Sequence, residues 1–252
     1  MPLLKITKLL SLMCAVGVTT SCASSPEFPK DFTKWDIRIF HPYLYSTSAY
    51  FVYGYNKEHD FVFPMLRPSY PARMYSMSQI RRMLDWQDYD GFGLQLTGGG
   101  ANAEQIGDIK TLPDQVFVEW QAFDYAIYKT RLDVTDEMKT VMKTPHLSPM
   151  GWDEACYQTS FAFGLLPDGR AKVWLYGCEI FTYVGEVEPV EKVREHPREY
   201  YEDSNGFYVR SKELGVKAEP IPWDKVEKVY YSDKMFTMNT LEEAINESKR
   251  DH

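Results

Sequence analysis

The stretch Cys156-Tyr-Gln-Thr-Ser-Phe-Ala-Phe-Gly-Leu-Leu-Pro-Asp-Gly-Arg-Ala-Lys-Val-Trp-Leu-Tyr-Gly-Cys178 decides the fold. Two apolar arms flank Pro167-Asp168-Gly169. Proline presets the first turn residue, and glycine accepts the left-handed backbone that closes a type I turn, so the segment predicts a β-hairpin. Cys156 and Cys178 end the arms at nearly equal distances from the turn, which predicts a disulfide. The alternative is two reduced cysteines on opposite faces, because a one-residue slip flips a side chain.

The same alternation recurs upstream. Asp114–Phe123 places Val116, Val118 and Trp120 on one face, Asp124 turns the chain, and Tyr125–Val134 returns, which predicts a second hairpin. Trp35–Phe40 and Ser48–Tyr55 read as strands, and Phe61–Leu66 as an edge strand because of Pro64. Helical spacing appears at 76–86, with Ser76 or Ser78 as the cap. It appears again at 136–143 behind Thr135, at 222–231 behind Pro222, and at 241–250, where Thr240 and Glu243 form a capping box. Gly91–Asn102 reads as a strand running into a glycine-rich turn, and 103–113 as at best a weak helix. Residues 190–215 are charged, aromatic and poor in aliphatics, and read as a long excursion. The fold class expected is α+β, one domain dominated by antiparallel sheet, sandwich-like, with two to four short helices.

The N-terminus speaks to compartment. Lys5 and Lys8 precede an apolar run, Leu9–Val18, far shorter than the roughly 20 residues a helix needs to span a bilayer. Val18-Thr-Thr-Ser then leads into Cys22, which resembles the bacterial lipobox, with Thr19 in place of the usual branched apolar residue. Residues 1–21 are expected to be a cleaved signal. Cys22 is expected to carry the lipid, 22–34 to tether it, and 35–252 to form the domain. By analogy, Ala23 after the cysteine points to the periplasmic face of the outer membrane. The alternative is an ordinary signal cut before Ala23 or Ser24. Loss of the leader removes two lysines and makes the chain more acidic than its formal −8. No basic patch recommends nucleic acid as a partner.

Catalytic motifs are few. There is no Gly-x-Ser-x-Gly, no His-Glu-x-x-His and no Cys-x-x-Cys. The histidines 41, 59, 146, 196 and 252 are scattered, and no metal site or cofactor is expected. Thr97–Asn102 lacks the endings of a phosphate loop. Asp85, Asp88 and Asp90 do not follow calcium-loop spacing and read as a solvated helix end. An enzyme built on an unrecognised acid pair is the weaker alternative, and binding is the leading class.

Several segments together resemble a family of bacterial lipoproteins called domain of unknown function 2931: Lys34–Tyr45, Leu96–Gly100, Leu112–Val134 and Leu165–Gly177. The matching positions are Trp35, Pro42, Trp120, Tyr128, Gly169, Val173 and Trp174. Residues 56–90 and the tail after 185 depart from the pattern. The resemblance implies a periplasmic immunity protein that binds and blocks a type VI secretion phospholipase, with a protein partner and no catalytic residues. Tyr200, Tyr201, Phe207 and Tyr208 are the aromatic anchors expected to reach that partner. The competing expectation is a ligand-binding or structural envelope lipoprotein with no toxin partner.

Overall fold

A computed structural model describes residues 28–66, 68, 76–96, 100–147, 155–194 and 206–250. The strands are β1 (Asp36–Phe40), β2 (Ser48–Asn56), β3 (Phe61–Pro64), β4 (Leu94–Gln95), β5 (Ala101–Glu104), β6 (Gln115–Gln121), β7 (Ala126–Asp133), β8 (His146–Leu147), β9 (Ala155–Cys156), β10 (Ser160–Leu165), β11 (Ala171–Gly177), β12 (Ile180–Val187), β13 (Pro189–Arg194), β14 (Val229–Tyr230) and β15 (Thr237–Thr240). The helices are α1 (Met77–Met83), α2 (Asp136–Lys143), α3 (Gly206–Leu214), α4 (Trp223–Val226) and α5 (Leu241–Ser248).

Two sheets face each other. One runs β15-β12-β11-β10-β1-β5 and the other β13-β7-β6-β2-β3. Most ladders are antiparallel, while β1–β10, β12–β15 and β4–β14 are parallel. The sheets join along both sides. After Glu188, β12 continues into β13, which pairs with β7 in the second sheet. On the other side Met65 bridges Gln105, the Leu66 amide donates to the Glu104 carbonyl, and the Ile106 amide donates to the Pro64 carbonyl. The result is a sandwich whose β3 and β5 edges pair with each other instead of facing water.

Between the sheets lies the main core, with Trp35, Ile37, Ile39, Val116, Val118, Trp120, Tyr128, Phe161, Phe163 and Val173 all buried. A second core covers the outer face of the six-stranded sheet. There Phe40, Ala162, Trp174 and Phe181 pack under Leu44, Tyr45, Leu94 and Val226. The strand β10 is therefore buried at every position, as a strand covered on both faces must be.

The family-motif residues interlock in these cores. Trp35 Nε1 donates to the Thr111 carbonyl at 2.9 Å, and Trp120 Nε1 to Thr130 Oγ1 at 3.1 Å. The Trp120 and Tyr128 rings lie 5.0 Å apart. A Cβ on Gly169, at φ 106°, would sit 2.4 Å from the Tyr128 ring, so the hairpin turn rests directly on that side chain. Pro42 and Val173 are buried as well.

Both expected hairpins are present. In the β10–β11 hairpin, Ser160 pairs with Tyr176, which centres the turn on Asp168. Cys156 and Cys178 form the disulfide, with Cα atoms 5.6 Å apart. Cys156 is not in the hairpin arm itself; it sits in β9, paired with His146.

Some expectations are corrected. Residues 190–215 hold β13 and α3, a fifth helix. The helix expected over 222–231 stops after one turn at Val226, because Val229 and Tyr230 pair in parallel with Leu94 and Gln95. Residues 103–113, read as at best a weak helix, hold no helix: Ala103 and Glu104 end β5, recruited by the open side of β1, and Gln105 bridges Met65. In the expected tether, Phe28 packs on the core and Phe32 is 1% exposed, so packing begins before Trp35.

Candidate functional site

The five-stranded sheet covers the core with one face and leaves the other open. In β2, Ala49, Val52 and Gly54 point inward. A Cβ on Gly54 would lie 2.6 Å from the Trp35 ring, which fixes that assignment. By alternation Phe51, Tyr53 and Tyr55 point outward. Cross-strand pairing sets Tyr53 beside Pro64 and Tyr55 beside Val62 on β3, and Tyr53 beside Phe117 on β6. The Met65–Gln105 bridge extends the same face to Leu66 and Ile106. Phe51, Val62, Leu66 and Ile106 are 65, 49, 54 and 57% exposed. These contacts make one apolar wall, not scattered exposed residues, and contiguous patches of this kind mark interaction sites.

The wall is stiff and bordered by charge. The Tyr53 and Phe117 rings stack at 4.8 Å, and Lys129 Nζ lies 5.6 Å from the Phe117 centroid. Tyr55 donates to Asp60 Oδ1 at 2.8 Å, and that carboxylate raises the Tyr55 hydroxyl above its ordinary pKa. Glu119, opposite Phe51, and Arg131, paired with Asp133 at 3.2 Å, complete a mixed border. A shallow cleft of ≈ 440 Å³ lined by Tyr50, Phe51, Val52 and Met65 opens beside it.

A second concavity of ≈ 450 Å³ lies outside the six-stranded sheet, lined mainly by Trp174, Tyr183, Val229, Tyr231 and Met238. Its charged lining is engaged: Lys172 pairs with Glu186 at 3.1 Å, and Glu243 caps α5 through Thr240. The neighbouring Arg170 guanidinium ties Asp168, Glu186 and Glu227 together at 2.6 Å each, clamping the hairpin turn to α4.

Asp90, from the acid cluster at 85–90, pairs with Lys225 at 2.9 Å and accepts from the Phe92 amide, which is a structural role. Among the described residues no group of three or more His, Cys, Asp or Glu is placed to hold a metal ion. Gly100, from the glycine-rich loop, lies against β1: a Cβ there would sit 2.7 Å from the Phe40 ring and 2.8 Å from the Ile39 carbonyl oxygen. Cys22, Tyr200 and Tyr201 lie outside the described residues. Phe207 and Tyr208 fall on α3, and their side chains lie outside the description too. The wall was not expected as a site. Its signal was that neither face of Ala49–Tyr55 alternates to polar residues, as a strand with one solvated face would, and that Phe51, Tyr53 and Tyr55 share one face.

Fold and wall together define a β-sandwich domain that offers a rigid side-chain surface. The family described as "Protein of unknown function (DUF2931)" matches residues 32–224, and the chain belongs to it. The match takes in residues 56–90 and most of the tail. No curated protein and no solved structure matches the chain.

Proposed function

We propose that this chain is a lipid-anchored protein of the outer membrane's periplasmic face. It binds and neutralises a secreted antibacterial effector, a type VI phospholipase, and so acts as an immunity protein. The observation that supports this most is the wall. A rigid, contiguous apolar surface with a charged border is how a protein receives another protein, with aromatic anchors at the centre and screened charges at the rim. The lipobox-like Cys22 would place it where a phospholipase must act. The resemblance of its motifs to the immunity lipoproteins points the same way.

The test is a competition between a parent strain and a deletion of this gene, against an attacker with its type VI secretion system on or off. Killing of the deletion strain only with secretion on, reversed by a periplasmic copy, is the expected result. Equal survival in both conditions would remove the immunity reading. The ≈ 450 Å³ apolar cleft favours the second reading, an envelope lipoprotein that holds an apolar ligand. A lipid or other small molecule co-purifying with the chain, and lost on Tyr231→Asp, would support it.

A further inference from the structure

Packing at the N-terminus sets a distance. The Phe28 ring packs tilted against Phe32 at 5.2 Å, Phe32 meets Tyr157 edge-on at 5.5 Å, and Lys143 Nζ lies 5.8 Å from the Phe28 centroid. The folded part is therefore gripped from Phe28 onward. Residues 22–27 are all that separates Cys22 from it. Six residues span at most about 20 Å even fully extended.

Register tells which end of the sandwich is gripped. Asp36 begins β1 beside Ser160, and Trp35 bonds to Thr111, which leads into β6. The Asp114 amide donates to the Tyr55 carbonyl, and Lys139 of α2 pairs with Asp114. The start of β6, the end of β2 and α2 thus share the end that carries Phe28. The β6–β7 and β10–β11 turns lie at the other end, where Tyr45 and Phe123 meet at 5.0 Å. The wall begins at the gripped end, at Tyr55 and Val62. It climbs to Phe51, four residues of strand or roughly 14 Å higher.

We infer that the apolar wall is the docking face for a protein partner seated on the bilayer, and that the leash, at most about 20 Å long, holds the gripped end of the sandwich, where the wall begins, next to the lipid surface. The inference rests on the anchored-binder reading. The occupant is a protein already at the membrane, because a leash this short offers the side wall to the layer next to the bilayer and not to the periplasm at large. Shortness then acts as effective concentration, which falls roughly as the −3/2 power of linker length.

The test inserts Gly/Ser segments of about 10 and 20 residues after Pro26 and measures survival against the attacker strain. The added 20 lengthen the leash roughly fourfold, so the tolerated effector dose should drop about tenfold. In parallel the mature chain carrying Cys22→Ser, with and without the inserts, is assayed for inhibition of phospholipase activity in the attacker's secreted fraction. That inhibition should be the same for every linker and lost in Phe51→Glu, whose side chain is exposed and not needed for folding.

Survival that is flat across linker lengths overturns the leash and leaves the binder reading standing. Inhibition retained by Phe51→Glu overturns the wall as the docking face. The Cys22→Ser chain is also mixed with phosphatidylethanolamine–phosphatidylglycerol vesicles. Binding there that is lost in Phe51→Glu means the wall sits on lipid, which overturns the protein occupant. Absence of any inhibition by the soluble chain ends the binder reading itself, and this inference with it.

Discussion

At the scale of single residues, close approach governs. Gly169 combines a left-handed backbone with a ring contact that leaves no room for a Cβ. Gly169→Ala should therefore destabilise the fold by about 2–4 kcal/mol, from backbone strain plus overpacking against Tyr128. Urea unfolding followed by tryptophan fluorescence measures it, and the midpoint should fall with little change in slope. Asp36 behaves oppositely. Burial pushes its carboxyl above the ordinary range, Ser160 and Arg38 pull against that, and Oδ1 has no hydrogen-bond partner. A folded-state pKa above the unfolded one means stability is fullest below the unfolded value and is lost as pH rises through the folded one. Asp36→Asn should thus raise the melting temperature at pH 7, and the gain should shrink toward zero as the pH approaches 4. Asp114 carries the reverse sign. Burial raises its pKa, but hydrogen bonds from Lys139 and the Lys57 amide outweigh that and hold it below the usual range. Its contribution is present above the unfolded pKa and fades as pH falls through the folded one, so Asp114→Asn should cost stability at pH 7 and little in acid.

At the scale of elements, the disulfide fastens β9 to the turn between β11 and β12, closing a loop with a sequence separation of 22. Replacing both cysteines by serine should cost about 3 kcal/mol in the loop-entropy account. Calorimetry with and without reductant measures it: the wild type should fall to the variant's melting temperature on reduction, and the variant should not respond. What the sequence revealed divides along the same line. The hairpins β6–β7 and β10–β11, and the caps at Thr135 and Thr240, were legible because turn and cap chemistry is local. The parallel pairings of β1 with β10 and β12 with β15 were not, since they join segments remote in sequence whose partners only the folded core selects. Tertiary pairing also overrode the helical spacing after Trp223, where Val229 and Tyr230 found β4. The wall stayed hidden because Phe51 and Tyr53 look, in sequence, like the core aromatics Trp35 and Trp120. Only the space that Trp35 takes above Gly54 says which face of β2 is inside.

At the scale of the molecule, the closed sandwich predicts that surface changes on the wall spare the fold. Phe51→Glu and Val62→Lys should each leave the melting temperature within about 2 °C, because neither side chain reaches the core. Both should reduce protection in the competition assay, and circular dichroism on the same preparations separates lost binding from lost structure. The alternation along β2 and β3 then carries a consequence for how such a protein can change over time. Every second residue belongs to the scaffold, and the residues between face outward, on the surface proposed for docking. Phe63, Val52 and Gly54 are held in place by Trp35 and its neighbours, while Phe51 and Val62 stand exposed on the opposite face. One short ribbon thus carries two interleaved scripts. One can be rewritten letter by letter while the other is left untouched.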